Sequence, residues 1–238
     1  MTIELLYPDT AMMFGDRGNA DYLKACLPDA EFIRTSYTDE PYFVKHKPDL
    51  IYMGSMSENT QKRVIECLMP YKEILRQRIE EDVPVLFTNN AAEVLFDYIE
   101  EEDGNKIPAL GLYHIHVKQD LMHRYNCLVK GTFTGMTILG YRTTFTFAYG
   151  DLEAHPFVQV EKGTGMNKES SIEGIHDHNL FATYLLGPFL LLNPDFVQYF
   201  LREVLGIKDA KPAYEETIRE AFKRRLEEFN DSHTDFYQ

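Results

Sequence analysis

Val83-Pro84-Val85-Leu86-Phe87-Thr88-Asn89-Asn90-Ala91-Ala92-Glu93-Val94-Leu95-Phe96 is the stretch on which the fold turns. Residues 83–88 form a short apolar run with no polar alternation, the pattern of a strand buried on both faces. The residues that follow, 91–98, are expected to form a helix. A strand buried on both faces and followed by a helix is the repeating unit of a parallel sheet.

Upstream the same unit recurs. Strands are expected over Thr2–Tyr7, Glu31–Thr35 and Lys47–Met53. Helices are expected over Asn19–Leu27, closed by Pro28, and over Asn59–Glu81. In the longer helix Val64, Ile65, Leu68, Ile74, Leu75 and Ile79 keep helical spacing, and Pro70 breaks or kinks it. Four strand–helix units in succession argue for an α/β three-layer sandwich with a mostly parallel central sheet. Downstream the pattern changes. Gly111–His116, Asn126–Phe133, Ile138–Phe147 and Phe157–Val160 read as strands on short loops, an antiparallel or mixed extension of the sheet. Leu180–Leu185 is apolar, Gly187-Pro188 turns the chain, and helices are expected over Pro194–Leu205 and Pro212–Phe229. With no internal repeat, low-complexity tract or linker, residues 1–238 read as a single domain.

Composition narrows the function classes. Lys and Arg number 24 against 38 Asp and Glu, for a net charge of −14. Nucleic acid and anionic membrane surfaces both need a basic face, so neither is an expected partner. The apolar run 180–192 is broken by Gly187-Pro188 and falls short of the roughly 20 residues of a membrane span. Met1-Thr2-Ile3-Glu4 has no basic region ahead of an apolar stretch. Cys26, Cys67 and Cys127 cannot all pair and show no C-x-x-C spacing, so a cytoplasmic location is expected.

Several motifs line up in one order. They are Leu6-Tyr7-Pro8-Asp9 with Phe14-Gly15-Asp16-Arg17-Gly18-Asn19, then Ile51-Tyr-Met-Gly54-Ser-Met-Ser57-Glu-Asn-Thr-Gln61, Glu173-Gly174-Ile175, and Thr183-Tyr184-Leu185-Leu186-Gly187-Pro188 with Asn193-Pro194. Together they resemble the glutaminase subunits of lipid II isoglutaminyl synthases, in the cobyric acid synthase-like branch of class I glutamine amidotransferases. The resemblance spans nearly the whole chain. It implies the flavodoxin-like class I amidotransferase fold, hydrolysis of glutamine and transfer of ammonia to a synthetase. It also implies a cysteine nucleophile on a strand-to-helix elbow, "P-V-L-x-I-C-G-G-Y-Q-L-L-G", a histidine in "TYLHGP", and backbone N–H groups for the oxyanion.

Laid over those patterns, Asn89 occupies the cysteine position, Asn90 and Ala91 the two glycines, and Leu186 the histidine. A carboxamide is no nucleophile at neutral pH and an alkyl group takes no proton. Asn89 still tolerates a positive φ, so the elbow is expected to keep its shape. Gly54-Ser55 is expected to present backbone N–H groups to an anion or a carbonyl oxygen. Arg124 stands where the family often has an arginine at the site mouth; it either holds an anionic group or is an exposed loop arginine. Asp16-Arg17-Gly18-Asn19 either caps the first helix or faces the site or a partner.

Other chemistry is thinner. The three cysteines read as small buried hydrophobes. His176 and His178 are expected in a polar turn before a buried strand, rather than as a displaced base or a metal pair. His114-x-His116 puts two imidazoles on one strand face without an evident third ligand, so no metal is expected. The acids at 97 and 100–103 read as solvated surface. No cofactor is implied.

Two functions of different class follow. One is an amidotransferase-like pseudoenzyme, a binding or partner subunit of a Mur-ligase-like or cobyric acid synthase-like amidating system. It would hold a small amide or amino acid at Gly54, Ser55, Asn89, Asn90 and Arg124. The other is an active amidotransferase with rewired residues, its base supplied by a partner or by a metal on His114, His116 or His176. A self-associating scaffold is a third, weaker reading. The opening motif favours peptidoglycan over cobalamin amidation.

Overall fold

The computed structural model describes residues 1–237. Its first part alternates strands and helices: β1 (Thr2–Leu6), α1 (Arg17–Cys26), β2 (Glu31–Thr35), α2 (Tyr42–Lys45), β3 (Leu50–Met53), α3 (Glu58–Leu68), α4 (Lys72–Glu80) and β4 (Val85–Thr88). Pro70 sits in the short 3-10 turn Met69–Tyr71 that separates α3 from α4, where it ends one helix without disturbing the next. Strands β5 (Phe96–Glu100), β6 (Lys106–Pro108), β7 (Tyr113–Gln119), β8 (Tyr125–Phe133), β9 (Met136–Thr144), β10 (Thr146–Gly150), β11 (Pro156–Lys162), β12 (Ile172–Asp177) and β13 (Leu180–Thr183) follow. Helices α5 (Phe189–Leu192), α6 (Pro194–Tyr199) and α7 (Glu215–Asn230) close the chain.

The central sheet has nine strands in the order β2-β1-β3-β4-β13-β12-β11-β8-β9. The first five are parallel to their neighbours and the rest antiparallel. Strands β3, β4 and β13 are buried at every residue. Their side chains alternate between two cores. Ile51, Met53, Val85, Phe87, Leu180 and Ala182 face α3 and α4. Leu50, Tyr52, Leu86 and Phe181 face α1, α5, α6 and α7. This is the expected three-layer α/β sandwich with antiparallel strands in its second half.

Three expectations about local structure are corrected. Residues 91–98 are not a helix. One 3-10 run covers Asn89–Leu95, every residue of it buried, and the chain then enters β5. The run ends at Phe96 because β5 pairs there with β7 as a parallel neighbour. Phe96 and Ile99 instead point into the core from a second, four-stranded sheet ordered β10-β7-β5-β6, which packs on the α3–α4 side. The strand expected over Ile138–Phe147 divides at Phe145, because β9 and β10 belong to different sheets. The expected polar turn around His176 is largely strand. His176 lies within β12, and only His178 (φ 52°) and Asn179 turn the chain into β13.

Candidate active-site crevice

Parallel pairing sets Thr88 of β4 beside Thr183 of β13 and Phe87 beside Met53 of β3. The elbow after β4 therefore opens at the carboxyl edge of the sheet, where α/β proteins hold their ligands. Asn89 takes φ 55° there, so the elbow shape is present. A crevice lies over it, lined by Met56, Asn89, Asn90, Glu93, Gln119 and Thr143–Thr146. Its free volume is about 20 Å³, room for roughly one water.

The polar groups of the elbow are bonded to one another. Asn89 Nδ2 donates to the Thr143 carbonyl at 3.2 Å, and Asn89 Oδ1 accepts the Asn90 N–H at 2.7 Å. Asn90 Oδ1 accepts the Met56 N–H at 3.0 Å, while Asn90 Nδ2 donates to the Met56 carbonyl at 2.8 Å. The two backbone donors nearest the elbow are thus both capped by carboxamide oxygens.

The expectation for Gly54-Ser55 is corrected in the same way. The Gly54 N–H donates to the Ala11 carbonyl at 3.0 Å, and the Ser55 N–H to Asp16 Oδ2 at 2.7 Å. A Cβ at Gly54 would lie 2.9 Å from the Ala11 oxygen and from the Asp16 Cβ, so only glycine fits. The anion in this turn is the protein's own Asp16. Thr88 Oγ1 and Asn19 Nδ2 also donate to it, at 2.9 and 3.0 Å. Burial pushes the Asp16 carboxyl up to about 6, against the opposing effect of the Ser55 and Thr88 donors. Asp16 stands at the N-cap position of α1, but its side chain makes no capping bond, and both it and Asn19 are too deeply buried to face a partner. Asn19 Oδ1 accepts the Leu190 N–H at 2.9 Å, and both residues are fully buried.

Arg124 lies exposed at the rim, its guanidinium 4.5 Å from the Phe145 ring and 5.6 Å from the Phe14 ring. It has no carboxylate partner among the described residues. Leu186 is buried and bridges Tyr141 of β9 in both directions, at 2.8 and 3.2 Å. Asn89 meets the same strand two residues on, at Thr143.

Beneath the crevice lies a charged network that the sequence reading missed. Glu93 is fully buried and accepts from Gln61 Nε2 at 2.7 Å, from Tyr184 Oη at 3.1 Å, and from Thr146 Oγ1. Burial pushes its carboxyl upward, opposed by those donors and by Arg142. Arg142, also fully buried, donates to the carbonyls of Gly165, Thr146 and Met166 and covers the Tyr184 ring at 4.4 Å. Glu173 accepts from Thr183 Oγ1 at 2.7 Å and from the Tyr184 N–H at 2.6 Å, and burial raises it to about 7. Glu93 had a signal: it stands at the glutamine of the elbow pattern. Phe14 and Glu58 lie within the quoted motifs; Gln119 and Phe145, which also line the crevice, had no signal.

None of the lining residues is a cysteine or a histidine. Cys127 is buried and Cys26 accepts the Ala213 N–H at 3.3 Å. His116 is stacked on Tyr98 at 4.8 Å and leans on Tyr149, and burial lowers its pKa. His114 shares its strand face and pairs with Asp97. His178 and His155 face Asp177 at 3.0 and 3.4 Å, and His176 stacks on Phe181. Among the described residues, no cluster of three or more His, Cys, Asp or Glu side chains is placed to hold a metal ion. Among them, too, no helix is long and apolar enough to cross a membrane.

No family model matches the chain. It is 25% identical over 242 residues to the lipid II isoglutaminyl synthase (glutamine-hydrolyzing) subunit GatD of Streptococcus pneumoniae, covering 97% of this chain and 91% of that one. It is 28% identical over 155 residues to the GatD subunit of Staphylococcus aureus, covering 65% and 63%. A solved structure of a glutamine amidotransferase superposes with TM-score 0.53 at 14% identity, over 86% of this chain and 98% of that one. The structure of PurLQS from Thermotoga maritima superposes with TM-score 0.52 at 12% identity, over 94% and 98%. The likeness to these structures is one of fold.

Proposed function

From the premise that this chain is glutamine amidotransferase-like, we propose that it works as a non-hydrolysing subunit of an amidating system. Its partner is a Mur-ligase-like or cobyric acid synthase-like synthetase, and residues 1–238 act as one cytoplasmic domain. The likeness to GatD over nearly the whole chain supports a partner of the Mur-ligase kind, on the peptidoglycan side. The crevice beside Asn89 holds a small amide or amino acid without attacking it.

One observation carries the reading. The elbow presents a carboxamide, and the Asn90 and Met56 N–H groups beside it are capped by Asn89 Oδ1 and Asn90 Oδ1. A tetrahedral oxyanion needs such donors free. With no thiol or imidazole lining the crevice, nucleophile, base and oxyanion site are unfilled together. Ammonia release from L-glutamine by the purified protein, alone and with its synthetase, tests this. The expected rate is that of the buffer blank. Turnover that disappears on substitution of Asn89 or Asn90 overturns the reading, as does stoichiometric labelling of a cysteine by a glutamine-analogue electrophile.

A further inference from the structure

A strand at the edge of a sheet exposes a row of N–H and C=O groups, and folded proteins block such rows against other chains. Three of the four sheet edges among the described residues are blocked. On β9 the Leu139 N–H and carbonyl are both taken by Asn193, Tyr141 bridges Leu186, and the Thr143 carbonyl accepts from Asn89. On β10 the Ala148 N–H donates to the Met166 carbonyl at 3.0 Å, and the Ala148 carbonyl accepts from Asn167 Nδ2 at 2.7 Å. Strand β6 is three residues long and ends in Pro108, which has no N–H to offer.

Strand β2 is different. It pairs only with β1. The Glu31 N–H donates to the Met1 carbonyl and the Thr35 carbonyl accepts the Tyr7 N–H, both at 2.9 Å, so Glu31, Ile33 and Thr35 turn their backbone groups toward β1. The N–H and C=O of Phe32 and Arg34 point outward, and no described residue bonds any of the four. The opening is closed on both sides. The Ala30 N–H is held by the Leu27 carbonyl at 3.1 Å. Asp39 caps Ser36, its Oδ2 accepting the Ser36 N–H at 2.8 Å and its N–H donating to the Ser36 carbonyl at 3.2 Å.

We infer that this opening pairs with the same strand of a second copy, antiparallel about a two-fold axis between the two Ile33 residues. In that register Phe32 lies directly opposite Arg34 of the second copy, twice, and the four outward groups of each chain are all bonded. A shift of two residues either way sets one of them against Ala30 or Ser36, whose N–H groups are already engaged. The opening is therefore self-complementary in one register. The side chains agree with it. Half-buried Ile33 meets its own copy, and half-buried Phe32, under the Lys24 ammonium at 5.5 Å, meets a guanidinium. Charge does not oppose the approach: the chain carries −14 overall, but beside β2 Arg17, Lys24 and Arg34 balance Asp9, Asp21 and Glu31. The crevice stays open in such a dimer, since β4 lies three strands from β2, about 14 Å across the sheet.

Sedimentation equilibrium of the full chain, from micromolar to near-millimolar concentration, tests this. The expected result is a rise from the mass of one chain to that of two. Ile33→Lys and Ile33→Asp each set like charges opposite one another across the axis, and each is expected to associate about tenfold more weakly. An equimolar mixture of the two variants sets opposite charges there and is expected to regain the two-chain mass. Hydrogen exchange in the wild type decides the matter if the variants fail to fold: the Phe32 and Arg34 amides are expected to be protected at high concentration and to exchange fast on dilution. A single-chain mass throughout overturns the proposal, as does a dimer indifferent to both variants, a mixture of folded variants that stays monomeric, or exchange at those amides that ignores concentration. Protection that arises only when a synthetase is added assigns the edge to that protein and overturns the proposal too.

Discussion

Asn90 grips the backbone of Met56 from both sides, accepting its N–H at 3.0 Å and donating to its carbonyl at 2.8 Å. The elbow after β4 and the turn after β3 are thereby fastened by one side chain, with Gln61 Nε2 anchoring the Asn90 carbonyl behind it. Asn90→Ala leaves two buried backbone groups of Met56 unpaired. At about 1–3 kcal/mol for each unsatisfied group, the expected loss is about 2–6 kcal/mol. Urea unfolding measures it. A loss under about 0.5 kcal/mol, the range of an ordinary surface substitution, would mean the grip is not structural.

The second prediction concerns pH. Glu173 is raised from 4.5 to about 7 and Asp16 from 3.8 to about 6, in both cases by burial first. Both folded values lie above the unfolded ones, so between them the native state binds more protons. Stability therefore falls as pH rises from about 4 to about 7 and levels off above. This is the reverse of the usual carboxylate contribution. Glu173 alone corresponds to a loss on the order of 3 kcal/mol across its window. Glu173→Gln keeps both hydrogen bonds, since Oε1 accepts the Tyr184 N–H and Nε2 donates to Thr183 Oγ1. Unfolding free energies at pH 5 and pH 8 should differ less in this variant than in the wild type. An equal difference in the two proteins would refute the assignment.

Much of this architecture was legible in the sequence. The apolar strands β3 and β4 and the break at Pro70 follow from composition and spacing, because both faces of the central sheet are buried and leave no polar alternation. The second sheet was not legible. Val94, Leu95 and Phe96 are apolar in a row, and such a run reads equally as buried helix or as entry to a strand. What decides is tertiary: β5 finds β7 as a parallel neighbour at Phe96–Tyr113, a partner distant in sequence. The elbow was readable from its motif, including Asn89's positive φ. The capping of its donors was not, because the Asn90–Met56 contact depends on how two turns approach each other in space. Gln119 and Arg142 lie on strands whose sheet membership had to be known first.

Arg142 provides the third prediction. Its guanidinium has no exposure, and it supplies the Gly165, Thr146 and Met166 carbonyls while lying close enough to hold down the Glu93 and Glu173 carboxyls. Arg142→Met fills similar space and removes every donor. Removing one member of a buried charged network costs about 3–5 kcal/mol, and that loss is expected here at pH 8. At pH 5 the penalty should be smaller, because Glu173, raised to about 7, then carries a proton and needs no counter-charge. A penalty independent of pH would show that the guanidinium acts through its carbonyl contacts alone.

The last prediction separates lost reactive groups from a closed oxyanion site. Asn89→Cys with Leu186→His restores a thiol at the elbow and an imidazole where Leu186 bridges Tyr141, one two-residue step along β9 from the Thr143 carbonyl that Asn89 now contacts. Removing the Asn89 carboxamide also frees the Asn90 N–H. The Met56 N–H stays capped by Asn90 Oδ1, so one of two donors is still missing. Loss of one such donor costs about 10²–10³ in rate. The double variant is therefore expected to release ammonia from L-glutamine about 10²–10³ more slowly than a variant with both donors free. Adding Asn90→Gly uncaps Met56 and restores the glycine of the elbow pattern, and that triple variant is expected to be faster by this factor. Equal rates in the double and triple variants would show that the capped donor does not limit the chemistry. A silent but folded triple variant would place the deficit in the geometry of the thiol and imidazole instead.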